Sequence, residues 1–213
     1  MTVACLLAQK KPVTLDAVTA APPQGAGAPI WSPDGQRFLT VKGTQLSLYD
    51  VAAKSQRDLL DLKKLDGAAS PMLPAAAFAW ENRGVAEQPV QWSADGAQVL
   101  LARGGDLFLL DVASGSPRQL TKTKEAESDP KLAPNGKSVA FRVAHDLHVM
   151  DVASGKVKPL TKGGTSDVRK AELDWVYPEE LALSTAYWWS PDSRRIAYLQ
   201  LTRRTCRFIR TAI

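Results

Sequence analysis

An all-β chain of repeated four-stranded units is predicted by three observations. A Trp-Ser-Pro-Asp-Gly-like segment recurs four times. An apolar run of strand length follows each copy. Three of the four copies then reach a second apolar run that ends in Asp-Val. The step from Ser93 to Ala133 is 40 residues. Four short strands in about 40 residues make one blade of a β-propeller, so a partial β-propeller of about four blades is expected.

The elements follow in order. The repeated segment is Trp31-Ser32-Pro33-Asp34-Gly35, then Trp92-Ser93-Ala94-Asp95-Gly96, Leu132-Ala133-Pro134-Asn135-Gly136 and Trp189-Ser190-Pro191-Asp192-Ser193. Proline presets φ for a turn, and Asp-Gly or Asn-Gly supplies the positive φ that the turn needs. The strands that follow begin at Arg37, Gln98, Ser138 and Arg195. A polar break leads to Gln45–Val51, Asp106–Val112 and Asp146–Val152. The last two continue through Ala-Ser-Gly turns into Arg118–Thr121 and Lys158–Thr161, the fourth strand of each unit. Trp31, Trp92 and Trp189 begin blade strands and are expected to pack in the core rather than stack on a ligand.

Two steps are longer, 61 residues from Ser32 to Ser93 and 57 from Ala133 to Ser190. Each carries an insertion of roughly 20 residues, and in repeat folds such insertions become loops on one face, often the binding face. The first includes Leu62 to Gln88 and the second Thr165 to Thr185. A short helix is expected in the second, with Pro178 at its first position and Glu179 and Glu180 in its first turn. The domain reading is therefore a disordered N-terminus or signal-peptide remnant over 1–22, the partial propeller over 23–201, and a basic tail over 202–213.

Composition narrows the function classes. Hydrophobic content of 45% and charge of 23% fit a globular domain. The net charge of +5 owes four units to Arg203, Arg204, Arg207 and Arg210 in the tail. No basic stripe interleaved with aromatics is present, so a nucleic-acid partner is not expected. Cys5 and Cys206 make no metal spacing or disulfide framework, and His145 and His148 read as strand surface or satisfied core. No metal or cofactor is expected. The apolar run near Met1 is too short for a membrane span. The tail lacks alternation and acids, and it is compatible with a one-nucleotide deletion near Leu201; the gene sequence tests that reading.

Candidate chemistry concentrates in Asp174-Trp175-Val176-Tyr177-Pro178-Glu179-Glu180, followed by Tyr187-Trp188-Trp189-Ser190-Pro191-Asp192. Alone, Glu179 and Glu180 also read as a solvated first helical turn. In order, spacing and the double Trp, the segment resembles the propeller of the dipeptidyl peptidase IV family of serine exopeptidases, whose motif is Asp-Trp-Val-Tyr-x-Glu-Glu. Pro178 departs from the acidic or polar residue usual before the pair. The resemblance implies that Glu179 and Glu180 hold the N-terminal ammonium of a peptide. It also implies an arginine from an early blade at the substrate backbone. Arg103 is the nearest candidate, with an exposed turn arginine as its other reading, and Arg83 is no better supported. The family propeller has eight blades, so the chain covers roughly half of one.

No Gly-x-Ser-x-Gly nucleophile elbow occurs. The chain therefore lacks the Ser-Asp-His triad, and it is expected to recognise peptide N-termini without cutting them. The resemblance further implies a partner α/β-hydrolase domain, a homodimer of the full-length parent, and a periplasmic or secreted location. A non-enzymatic TolB-like propeller serving as a protein-binding scaffold is the alternative, since the same repeats occur there.

Overall fold

The computed structural model describes residues 28–66, 90–174, 176–181, 183, 185–202 and 206–212. The expected N-terminal segment 1–22, most of the first insertion, Arg83, Trp175 and Cys5 lie outside these residues, as does the side chain of Glu179.

Four antiparallel sheets form in chain order. The first joins β1 (Ile30–Trp31), β2 (Arg37–Lys42), β3 (Gln45–Asp50) and β4 (Ser55–Asp61). A one-turn helix, α1 (Lys63–Asp66), follows and buries Leu65. The second sheet joins β5 (Val90–Trp92), β6 (Gln98–Arg103), β7 (Asp106–Asp111) and β8 (Pro117–Gln119). The third joins β9 (Glu127–Leu132), β10 (Ser138–Val143), β11 (Asp146–Asp151) and β12 (Val157–Pro159). In these three sheets each strand pairs with the next, which is the up-and-down order of a propeller blade.

The fourth sheet is built differently. Its first strand is split into β13 (Val168–Lys170) and β14 (Tyr187–Trp189), and both pair with β15 (Arg195–Thr202). Between them the chain leaves the sheet and forms α2 (Val176–Leu181). The insertion inferred as Thr165–Thr185 is thus shorter at its front, because Val168–Lys170 is already strand. On the other side of β15 lies β16 (Cys206–Ala212), in register from Arg195↔Ala212 to Leu201↔Cys206. The fourth sheet therefore runs past the boundary drawn at 201 and takes in most of the segment expected as a tail.

The turns explain why the repeats fold alike. In the first, second and fourth copies the serine hydroxyl donates to the aspartate two residues on, at 2.5, 2.6 and 2.5 Å. The same serine oxygen accepts the N–H of the residue that starts the next strand, at 3.0, 2.9 and 2.9 Å. The turn position after the Asp or Asn has positive φ in every copy: 67° at Gly35, 68° at Gly96, 70° at Gly136 and 61° at Ser193.

The core lies between the sheets. Period-two alternation sends successive side chains of a strand to opposite faces. Val99 and Leu101 of β6 pack toward the first sheet, whereas Leu100 packs toward the third. Phe108 and Leu110 of β7 divide from Leu107 and Leu109 in the same way. A sheet covered on both faces needs apolar residues at consecutive positions, which accounts for the run Leu107-Phe108-Leu109-Leu110. Ala140, Leu147, Ala171, Tyr187, Ile196 and Tyr198 fill the seam between the third and fourth sheets.

Trp92 and Trp189 pack against the core as expected, whereas Trp31 departs from that role. Trp92 and Trp189 are only partly buried, and their indole N–H groups donate to the main-chain carbonyls of Ile30 and Lys131, at 2.9 and 3.1 Å. Each thus bridges to the first strand of the preceding sheet. Trp31 is 52% exposed and lies 5.0 Å from the ring of Phe38, because no described sheet precedes it.

Candidate functional site

The split in the fourth sheet has a counterpart in the third. There β9 bulges at Asp129, a non-glycine residue at φ 48°, and the pairing with β10 shifts register between Ala140 and Arg142. By register, Lys170 matches Glu127 and Tyr187 matches Pro130. The chain from Ala171 to Ala186 thus opens where the third sheet has only a bulge, and both features sit on an edge strand of their sheet. Bulges re-aim the chain and are common beside sites.

Both feet of this excursion are fastened. At the outgoing foot Ala171 turns at φ 56°, and its N–H donates to the Leu199 carbonyl at 2.9 Å. The next residue, Glu172, meets three basic side chains. Arg142 Nη1 lies 3.3 Å and His145 Nδ1 2.6 Å from Oε2, and Arg169 Nη1 lies 3.7 Å from Oε1. At the returning foot Thr185 donates to Asp129 at 2.5 Å. Lys131 Nζ joins them, 3.2 Å from the Asp129 carboxylate and 2.7 Å from the Tyr187 carbonyl, and 3.6 Å from the Tyr187 ring centroid. Tyr187 donates its hydroxyl to the Ala140 carbonyl at 3.0 Å and also contacts the carbonyl of Asp129. Burial pushes the Asp129 carboxyl up; Lys131, Thr185 and Arg142 oppose that shift without cancelling it.

The helix between the feet starts earlier than its sequence suggests. Asp174 Oδ1 accepts the N–H of Val176, the first residue of the helix, at 3.0 Å. Pro178 is then the third helical residue, not the first. It is tolerated because the first four N–H groups of a helix have no partner within it. Glu179 and Glu180 fall in the second half of this six-residue helix rather than at its start. Glu180 is exposed and, among the described residues, has no ion-pair partner. Val176, Leu181 and Leu183, exposed by 38%, 57% and 44%, flank it along the chain. The tip therefore combines an available carboxylate with apolar side chains.

Arg103 ends β6 and holds Asp66 of α1 with both arms of its guanidinium, Nε–Oδ1 at 2.5 Å and Nη2–Oδ2 at 3.0 Å. The Asp66 carboxylate raises the arginine's pKa and is itself held below the usual aspartate range. Arg103 also lines a cavity of about 300 Å³ with Ile30, Val41, Leu62, Val90 and Leu101. The β6–β7 hairpin and the start of the excursion lie toward the same end of the sheets. His148 stacks on Phe141 with centroids 6.0 Å apart, in line with a structural role. His145 is instead a partner of Glu172. Neither Glu172 nor the Asp129–Thr185 pair stood out in the sequence. Among the described residues no group of three His, Cys, Asp or Glu side chains could hold a metal, and no helix is long and apolar enough to cross a membrane.

Consecutive antiparallel sheets stacked face to face, with a loop excursion from an edge strand, define a run of β-propeller blades. Residues 105–210 match the family model of the dipeptidyl peptidase IV (DPP IV) N-terminal region. Over that stretch the chain is similar to the DPP IV N-terminal region. The fold resembles the dipeptidyl peptidase 4 of Porphyromonas gingivalis, with a TM-score of 0.64 at 19% identity, over 95% of this chain and 31% of that one. It also resembles TolB from Acinetobacter baumannii, with a TM-score of 0.54 at 16% identity, over 89% of this chain and 41% of that one. In sequence it is 26% identical over 120 residues to the uncharacterized peptidase YuxL of Bacillus subtilis, 56% of this chain and 15% of that protein. The chain therefore spans less than a third of either peptidase.

Proposed function

We propose that this propeller is the substrate-recognition part of a DPP IV-like serine exopeptidase and that Glu179 and Glu180 hold the N-terminal ammonium of a peptide. One observation carries the reading: the Glu pair lies on a short helix, displayed by an excursion from an edge strand of a blade and fastened at both feet. An α-amine with a pKa of about 7.7–8.0 is largely protonated at neutral pH. Two neighbouring carboxylates repel each other, and a bound cation relieves that repulsion. A cation held at a fixed distance from a serine acts as a ruler that admits release of N-terminal dipeptides. The α/β-hydrolase domain that would cut is a separate partner in this reading, the complete enzyme works as a homodimer, and its place is the periplasm or outside the cell.

The experiment is titration of the chain with Ala-Pro-Ala and with its N-acetylated form. The free amine is expected to bind at least tenfold more tightly, about 1.4 kcal/mol, and Glu179→Gln or Glu180→Gln should erase the difference. Equal binding of both peptides by the unmodified chain overturns the proposal. Arg103→Gln should weaken both peptides alike if Arg103 reaches the peptide backbone. The likeness to TolB supports a second reading, a non-enzymatic scaffold for a protein partner, but that reading gives the Glu pair no task.

A further inference from the structure

We infer that Glu172 is a positioning residue for the Glu179–Glu180 pair, held by a clasp of Arg142, His145 and Arg169; the inference rests on the ammonium-binding reading above. Arg142 and His145 belong to β10 and the β10–β11 hairpin of the third sheet, whereas Arg169 belongs to β13 of the fourth. Their shared carboxylate therefore fixes the excursion to two blades at once. The clasp sits only seven residues before Glu179, and Ala171 between it and the strand is already in a left-handed conformation that L residues adopt at a cost. Something must hold that turn in place, and the Glu172 carboxylate is suited to it. Its side chain is 20% exposed, and those of Arg142 and His145 are 14% and 32% exposed. Of the three contacts the one to His145 is a hydrogen bond, at 2.6 Å, and those to Arg142 and Arg169 are ion pairs at 3.3 and 3.7 Å.

The charges around the cluster point the same way. Lys170, next to Arg169, contacts Asp146 at 3.7 Å and so has an acid of its own. Asp129 of β9 is engaged by Lys131 and Thr185, and the charge of Arg142 reaches it as well. Glu172 is thus the carboxylate that faces Arg142, His145 and Arg169 together. A sheet needs no such hub at this point: the third blade makes the corresponding turn with a bulge. The hub occurs where the excursion begins, which assigns it to the excursion rather than to the sheet.

The test uses the full chain and three substitutions, Glu172→Gln, Glu172→Asp and Arg169→Gln. Glu172→Gln should weaken Ala-Pro-Ala by about tenfold, the scale on which a displaced binding group loses its function, and leave the acetylated peptide unchanged. Hydrogen exchange should quicken across residues 171–186 and stay the same in β9–β12. Glu172→Asp, which keeps the charge, should recover part of the affinity. Arg169→Gln, at a more exposed partner, should give a smaller loss of the same kind. A purely structural role would instead speed exchange in the sheets and weaken both peptides equally, which overturns the inference. Wild-type selectivity for the free amine with no loss in Glu172→Gln also overturns it. A wild-type chain that does not distinguish the two peptides defeats the ammonium reading itself, and a Glu172 variant whose exchange is unchanged over 171–186 defeats the clasp separately.

Discussion

Thr185 donates its hydroxyl to the Asp129 carboxylate at 2.5 Å, across 56 residues of sequence. One partner sits on the bulge of the third blade, and the other on the last turn of the excursion before it rejoins the fourth. The insertion of one blade is thereby secured to the irregularity of its neighbour.

Thr185→Val removes that donor and leaves the buried carboxylate to Lys131 and the charge of Arg142. A buried acceptor that loses a partner costs about 1–3 kcal/mol. Urea unfolding should show a loss in that range, and hydrogen exchange should quicken first at residues 183–187. A change below about 0.5 kcal/mol, the level of an ordinary surface substitution, would mean that the returning foot is held by Tyr187 and not by this bond.

The blades were legible in the sequence and the clasps were not. Ser32, Asp34 and Gly35 act on one another within a few residues, so their spacing specifies the turn wherever it recurs. The run Leu107–Leu110 announces a sheet covered on both faces for the same reason. Glu172 and Arg142 are 30 residues apart, and Thr185 and Asp129 56 apart; nothing local in either partner encodes the meeting. The position of Glu179 and Glu180 on a helix was readable from their neighbours, but the register was not. Asp174 competes with Pro178 as a start signal, and its side chain takes the N–H of Val176, where the helix begins. The strand at Cys206–Ala212 was missed because it carries no alternation; pairing with β15 specifies it.

The indole bridges make a second prediction. Trp92 and Trp189 each donate to a carbonyl one residue before the position equivalent to their own in the preceding blade, Ile30 beside Trp31 and Lys131 beside Leu132. Phenylalanine at either site keeps most of the ring and removes the donor. Trp92→Phe and Trp189→Phe should each cost about 1 kcal/mol, and the double variant should lose the sum to within about 0.5 kcal/mol. Trp31→Phe, at a half-exposed ring with no such bridge, should stay within about 0.5 kcal/mol of the parent. Equal losses at all three positions in denaturant titrations would refute the seam role.

Gly164 tests the link between the third and fourth blades by steric contact. A Cβ there would lie 2.3 Å from the main-chain oxygen of His145 and 2.6 Å from its carbonyl carbon, which is backbone and cannot swing away. The N–H of Gly164 also donates to Asp146 at 2.7 Å. Gly164→Ala must therefore displace the hairpin that carries His145. Overpacking of this kind costs about 1–3 kcal/mol, and the same variant should disturb the Glu172 clasp. Weaker discrimination between free and acetylated peptide is expected alongside the lower stability. Unchanged stability would show that the hairpin yields freely.

Two sets of carboxylates give the chain opposite pH dependences. Asp34, Asp95 and Asp192 lie below the usual aspartate range, first because the hydroxyls of Ser32, Ser93 and Ser190 donate to them and then because backbone N–H groups do. A folded-state pKa below the unfolded one adds stability that is present above the unfolded value and lost as pH falls through the folded one. Glu127 is raised, by burial and more weakly by the charge of Asp106, against the hydroxyls of Thr123 and Thr121. A folded-state pKa above the unfolded one has the reverse sign: the folded chain keeps its proton longer, and stability declines as pH rises from the unfolded value through the folded one. Denaturant titrations from about pH 7 down to about pH 2 separate the two, because carboxylate linkage is confined to that range. The stability advantage of the wild type over Asp95→Asn should be present at neutral pH and vanish in acid. Relative to Glu127→Gln the wild type should gain as the pH falls. Parallel curves for Glu127→Gln and wild type would mean that the burial of Glu127 imposes no charge penalty, and parallel curves for Asp95→Asn would mean that the serine-aspartate turns hold without their charge.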